Sequence, residues 1–103
     1  MDDATRRERV LAVLGTVLDP ELGLDVVSLG LVYGVSVHEG RVDVQLTMTT
    51  AACPLGEHIQ RDAESRVRDL AWVSEVRVEL VWDPPWTPER MSASARETLG
   101  WNR

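Results

Sequence analysis

Between Leu31 and Met48 the chain alternates apolar and polar residues on both sides of a Glu39-Gly40 pair, and no other stretch restricts the fold as much. Leu31, Tyr33, Val35 and Val37 interleave with Val32, Gly34, Ser36 and His38; Val42, Val44, Leu46 and Met48 then interleave with Asp43, Gln45 and Thr47. A period of two puts successive side chains on opposite faces of a strand, and a polar-Gly pair between two such runs reads as a hairpin turn. One face of this hairpin must be buried, so the rest of the chain has to supply the layer that covers it.

Ahead of the hairpin the spacing predicts a helix of about fourteen residues. Its capping box starts at Asp3 or at Thr5 (Thr5-x-x-Glu8), and Val10, Leu11, Leu14, Val17 and Leu18 form its apolar stripe. Asp19-Pro20-Glu21-Leu22-Gly23 ends it, because proline disfavours helical geometry in the residue before it. Asp19 and Glu21 flank the proline and Asp25 follows, and taken alone they read first as a polar turn with an Asx-type hydrogen bond. From Pro54 a second helix turns Leu55, Ile59, Ala63, Val67 and Leu70 inward. Val76, Val78, Leu80 and Trp82 against Arg77, Glu79, Val81 and Asp83 predict a third strand, stopped by Pro84 and Pro85, which cannot donate to a ladder. Thr87 and Pro88 open a last helix over about 88–99, with Met91, Ala95 and Leu99 apolar and Gly100 closing it. The order α-β-β-α-β-α predicts an α/β chain of the two-layer α+β kind. It would be a single domain, residues 1–103, with a small three-stranded mixed sheet and helices mainly on one face.

Several function classes fall away on composition. A net charge of −6 opposes binding to a phosphate backbone. The one basic stretch, Arg61 to Arg68, is interleaved with Asp62 and Glu64 and followed by Asp69, as a solvated helix face would be, so no nucleic-acid partner is expected. No window approaches the roughly 18 uninterrupted apolar residues of a membrane span. The acidic start Met1-Asp2-Asp3 does not resemble a leader, so a cytoplasmic protein without a membrane partner is expected. The single cysteine, Cys53, rules out an intrachain disulfide and any cluster held wholly by cysteines of one chain.

Cys53 falls where the second strand gives way to the second helix, in Thr49-Thr50-Ala51-Ala52-Cys53-Pro54. Pro54 suits a first helical position, which leaves Cys53 at or beside the N-cap. Unpaired N–H groups and the positive end of the helix dipole favour a thiolate there. A small buried hydrophobe at a strand end would look the same. Strand direction adds a second argument. Strand one starts, strand two ends, helix two starts and strand three ends at one edge. The loops Asp19–Leu29, Thr47–Pro54 and Trp82–Trp86 therefore converge there.

His38 lies at the far end of the sheet, about eight strand residues or roughly 25 Å away. His58 is rotated about 500° around its helix relative to Cys53. Neither is placed as the base of a Cys–His pair, so a thiol enzyme is the weakest reading. A thiolate beside carboxylates suits soft metals, with Asp19 or Glu21 as a harder ligand. One thiol per chain gives incomplete ligation, which fits a carrier that hands its cargo on. Two chains in a homodimer would supply two thiols, and Val32 and Val81 make the outer sheet face partly apolar.

The run from Asp19 to Tyr33, DPELGLDVVSLGLVY, closely resembles the DPEL…(I/V)VxLGLVY signature of the metal–sulfur (iron–sulfur) cluster assembly factors, the SufT- and PaaD-like small domains. Thr47–Pro54 is similar to that family's LTxTxxxCP loop, and Trp82–Ser92 to its DPPWTPDRMS tail. The resemblance covers nearly the whole chain in the same order. It implies a two-layer α/β fold and a non-enzymatic role in maturing iron–sulfur proteins. It carries over Asp19, Glu21, Thr49, Thr50 and Cys53 as the functional cluster. Cys53 would be a transient ligand to iron or an iron–sulfur cluster, with none tightly held by an aerobically purified monomer. The partners would be iron–sulfur client and carrier proteins, docking where Trp82, Asp83 and Trp86 shape the edge. An adaptor in which Cys53 is structural is the alternative. The chain reaches Arg103 without the cysteine-rich C-terminal part of PaaD-type proteins, so their particular client is not carried over.

Overall fold

The hairpin forms as its alternation requires. In the computed structural model, which describes residues 2–20, 22–49 and 56–100, β1 (Val32–His38) and β2 (Arg41–Leu46) run antiparallel, with Val37 opposite Val42 and Val35 opposite Val44. A two-residue hairpin turn that matches strand twist needs positive φ at both central residues; Glu39 (47°) and Gly40 (87°) adopt it. β3 (Glu75–Leu80) lies on the other side of β2 and parallel to it, Val76 opposite Val42 and Val78 opposite Val44. The sheet order is therefore β1-β2-β3 and the sheet is mixed.

The covering layer is helical, as predicted. α1 (Asp3–Leu14) packs on β1, α2 (Gly56–Arg68) packs on β3, and the two helices touch each other. Val10 and Leu14 from α1, and Ile59, Ala63 and Val67 from α2, close over Val42, Val44, Leu46, Val76 and Val78. Each such aliphatic side chain withdrawn from water contributes roughly 1.5–3 kcal/mol, and this burial is what holds the two layers together. Each open sheet edge has a carbonyl covered by a helix side chain. Arg7 Nε donates to Val35 O (3.0 Å) on β1, and Gln60 Nε2 donates to Val78 O (2.6 Å) on β3. Among the described residues, no helix is long and apolar enough to cross a membrane.

Four boundaries differ from the sequence expectation. The first helix is capped by Asp2, whose Oδ1 accepts from the Thr5 N–H at 2.8 Å, so Thr5 donates to a cap and is not one itself. It stops at Leu14, and Val17 reaches the core from a short extended segment. That segment bridges Leu18 to Asp25, and its two-residue alternation turns Leu18 outward to 53 % exposure. β3 ends at Leu80, leaving Trp82 and Asp83 in the following loop. The last helix is split into a 3-10 turn (Pro88–Arg90) and α3 (Ala93–Leu99). Ser92 causes the break: its N–H donates to Ser28 O (2.8 Å) while its hydroxyl caps the Ala95 N–H (3.0 Å). Met91 and Ala95 are buried all the same.

Candidate functional site

Because β2 and β3 are parallel, both deliver their carboxyl ends to one edge of the sheet, and α2 starts at that same edge. A Cβ built on Gly56 would stand 3.5 Å from Met48 Cγ and from Leu80 Cδ1. The chain thus leaves the end of β2 at Met48–Thr49 and is back beside it at Gly56, and the residues joining the two in sequence include Thr50 and Cys53. Ligands of α/β sheets bind in the crevice outside the carboxyl ends of the strands.

Backbone pairing brings the other two loops to this edge. The Thr47 N–H donates to Leu31 O (2.8 Å), and the Val81 N–H to Leu46 O (2.7 Å). Trp86 Nε1 donates to Leu29 O at 2.7 Å and the Tyr33 hydroxyl to Pro84 O at 2.8 Å, so the Val81–Arg90 segment is fastened across the start of β1. A side chain at Gly30 (φ 73°) would overlap the Arg90 backbone, which shows how closely that segment is laid on the loop.

The candidate residues fall into distinct environments. Asp19 is buried at 4 % exposure, and its Oδ1 accepts from the Leu22 N–H (3.2 Å) while its carbonyl accepts from Gly23 (2.7 Å). This is the Asx-type turn open to it in the sequence, so its carboxylate builds the turn. Asp25 does the same one turn later, accepting from the Ser28 N–H at 2.9 Å. Thr49 is half-buried at the end of the second-strand segment. Trp82 is 45 % exposed, Asp83 is exposed and Trp86 is half-buried. Glu21, Thr50, Cys53, Pro54 and Leu55 lie outside the described residues. His38 sits beside the Glu39-Gly40 turn, at the other end of the sheet, and His58 is exposed on α2. Among the described residues, no three His, Cys, Asp or Glu side chains come together to hold a metal ion.

The sequence reading gave no site role to Tyr33, Gln45 or Arg90, yet with Val32, Val81 and Asp83 they line a groove of ≈ 360 Å³ on this edge. A bulge between Val32 and Gly34 lets two consecutive residues, Val32 and Tyr33, look into it. The Arg90 guanidinium lies 4.6 Å above the Tyr33 ring, a cation–π arrangement that holds a flexible side chain in place. The only sequence signal for the groove is that Tyr33 and Arg90 belong to two of the three quoted motifs. Beside Arg90, the Thr87 hydroxyl donates to the Glu89 carboxylate and holds its pKa below the usual glutamate value; the residue's own N–H adds to this.

Residues 7–80 match the family described as iron–sulfur cluster assembly protein. The chain is 41 % identical over 101 residues to the Fe-S protein maturation auxiliary factor YitW of Bacillus subtilis, spanning 97 % of this chain and 98 % of that one. It is 42 % identical over 85 residues to the Fe-S protein maturation auxiliary factor SufT of Staphylococcus aureus, spanning 82 % and 97 %. Its backbone superposes on the crystal structure of a domain of unknown function, DUF59, from Bacillus anthracis with a TM-score of 0.92 at 38 % identity, covering 95 % of this chain and 94 % of that one. The chain belongs to the iron–sulfur cluster assembly protein family.

Proposed function

We propose that this protein is a maturation factor for iron–sulfur proteins. In this reading it acts as one unit over residues 1–103, and Cys53 is a transient ligand to an iron ion or cluster in transit. The observation that carries the reading is similarity over 97 % and 82 % of the chain to two relatives named as Fe-S protein maturation auxiliary factors. Chemistry supports the role of the thiol. A thiolate is a soft ligand suited to iron, and a single one leaves coordination open for a receiving protein to complete. The exposed Trp82 and Asp83, with the half-buried Trp86, supply a docking edge for client and carrier proteins. In this reading Asp19, Glu21, Thr49 and Thr50 act with Cys53 as the functional cluster, Asp19 also holding the neighbouring turn.

The test is anaerobic reconstitution with iron and sulfide, wild type beside Cys53→Ala, followed by metal and sulfide analysis. Cysteine-dependent visible charge-transfer absorption is expected. The second reading, an adaptor that docks clients without touching the cargo, is favoured by the 45 % exposure of Trp82. Colourless wild-type protein that still binds client proteins would establish it over the first.

A further inference from the structure

We propose that the groove between the start of β1 and the Val81–Arg90 segment is a self-docking surface. A second copy of this chain would bind there about a two-fold axis, setting Arg90 of each copy against Asp83 of the partner subunit. The groove carries one cation and one anion, Arg90 and Asp83. Among the described residues neither belongs to an ion pair; the four present are Arg6–Asp3, Arg41–Glu75, Arg66–Asp62 and Arg68–Glu64. Asp83 would repel a purely acidic ligand and Arg90 a purely basic one, so the occupant must present both signs.

A two-fold interface demands a self-complementary patch, in which one residue meets another and the second meets the first in return. Asp83 and Arg90 satisfy that condition with a copy of themselves, and it doubles the charge pairing at no further requirement on sequence. Val32 and Val81, both half-buried, give the groove apolar walls to close between the pairs.

The surface is also held ready. Tyr33 supports the Arg90 guanidinium from below, its own hydroxyl is tied to Pro84 O, and Trp86 and Ser92 anchor the segment to Leu29 and Ser28. Less side-chain freedom is then lost on association. The inference rests on the groove and not on the reading of Cys53; where that reading holds, a dimer would offer the cargo a second thiolate.

Sedimentation equilibrium over a concentration series tests it. The wild type is expected to show a monomer–dimer equilibrium. Arg90→Asp and Asp83→Arg should each weaken the dimer by at least about a hundredfold, because like charges then face each other twice. Both positions are exposed, so circular dichroism should stay that of the wild type. An equimolar mixture of the two variants should recover a dimer, since in the mixed pair each contact again joins opposite charges. A wild type that stays monomeric up to about 1 mM, a dimer indifferent to either reversal, or a mixture that fails to re-associate overturns the proposal. Cys53→Ala is expected to dimerise as the wild type does, so loss of cargo binding in that variant bears on Cys53 alone.

Discussion

Gly30 concentrates two constraints in one residue. Its φ of 73° is a region that side chains rarely adopt. A Cβ there would also lie 2.6 Å from the Arg90 carbonyl carbon and 2.7 Å from the Arg90 Cβ. Backbone on that side cannot swing away without lifting the Thr87–Met91 strap. Gly30→Ala is therefore expected to cost about 2–4 kcal/mol, read as a lower urea midpoint, with Trp86 fluorescence changing as its bond to Leu29 O is lost. A midpoint within about 0.5 kcal/mol of the wild type would mean that the strap is not clamped. Asp19 invites a different comparison. Asn keeps the oxygen that accepts from the Leu22 N–H, whereas Ala removes it. Asp19→Ala should cost about 1–3 kcal/mol and Asp19→Asn much less. If Asp19→Asn folds normally yet no longer supports client maturation, its charge has a role beyond the turn.

Elements were legible wherever their pattern was local. Val42, Val44 and Leu46 announce β2 by period two, and Ile59, Ala63 and Val67 announce the buried side of α2 by period four, so both were readable without tertiary information. The bulge at Val32–Gly34 was not, because its cause is the pairing register with β2. The split of the last helix was equally hidden. Met91, Ala95 and Leu99 fit one continuous stripe, and only the bond from Ser92 to Ser28, across the chain, shows why the helix restarts. Ser92→Ala is accordingly expected to cost about 1 kcal/mol through loss of the α3 cap, with α3 fraying first in hydrogen exchange. The 3-10 turn before it should respond to acid. Glu89 has its folded pKa depressed by the Thr87 hydroxyl, so its small stabilising effect is present above the ordinary glutamate value. It is lost as pH falls through the depressed folded value. Thr87→Val should weaken the acid dependence of stability over that window, and an unchanged acid limb would show that the bond does not form in solution.

At the scale of the whole molecule the informative quantity was strand direction. A hairpin followed by a crossover helix places the carboxyl ends of β2 and β3 together, and this could be worked out before any contact was known. What direction could not supply was which side chains meet there, hence the missed pairing of Tyr33 with Arg90. The same architecture separates the two jobs proposed for this edge, because Cys53 falls in the residues joining β2 to α2 while Trp82 follows β3. Trp82 is 45 % exposed, so Trp82→Ala should change stability by no more than about 0.5 kcal/mol. Truncating an exposed tryptophan at a docking surface should nevertheless cost about 1–2 kcal/mol of client affinity, roughly five- to thirtyfold. Cys53→Ala should do the reverse, keeping client affinity while abolishing cysteine-dependent iron retention. Titrating one purified client apoprotein against each variant, and measuring iron retained after anaerobic loading, gives both numbers for both proteins. Crossed losses would establish that cargo and client are handled by separate residues on one edge. If Cys53→Ala alone removed client binding as well as iron, the thiol would be the contact itself, and Trp82 would have no part in docking.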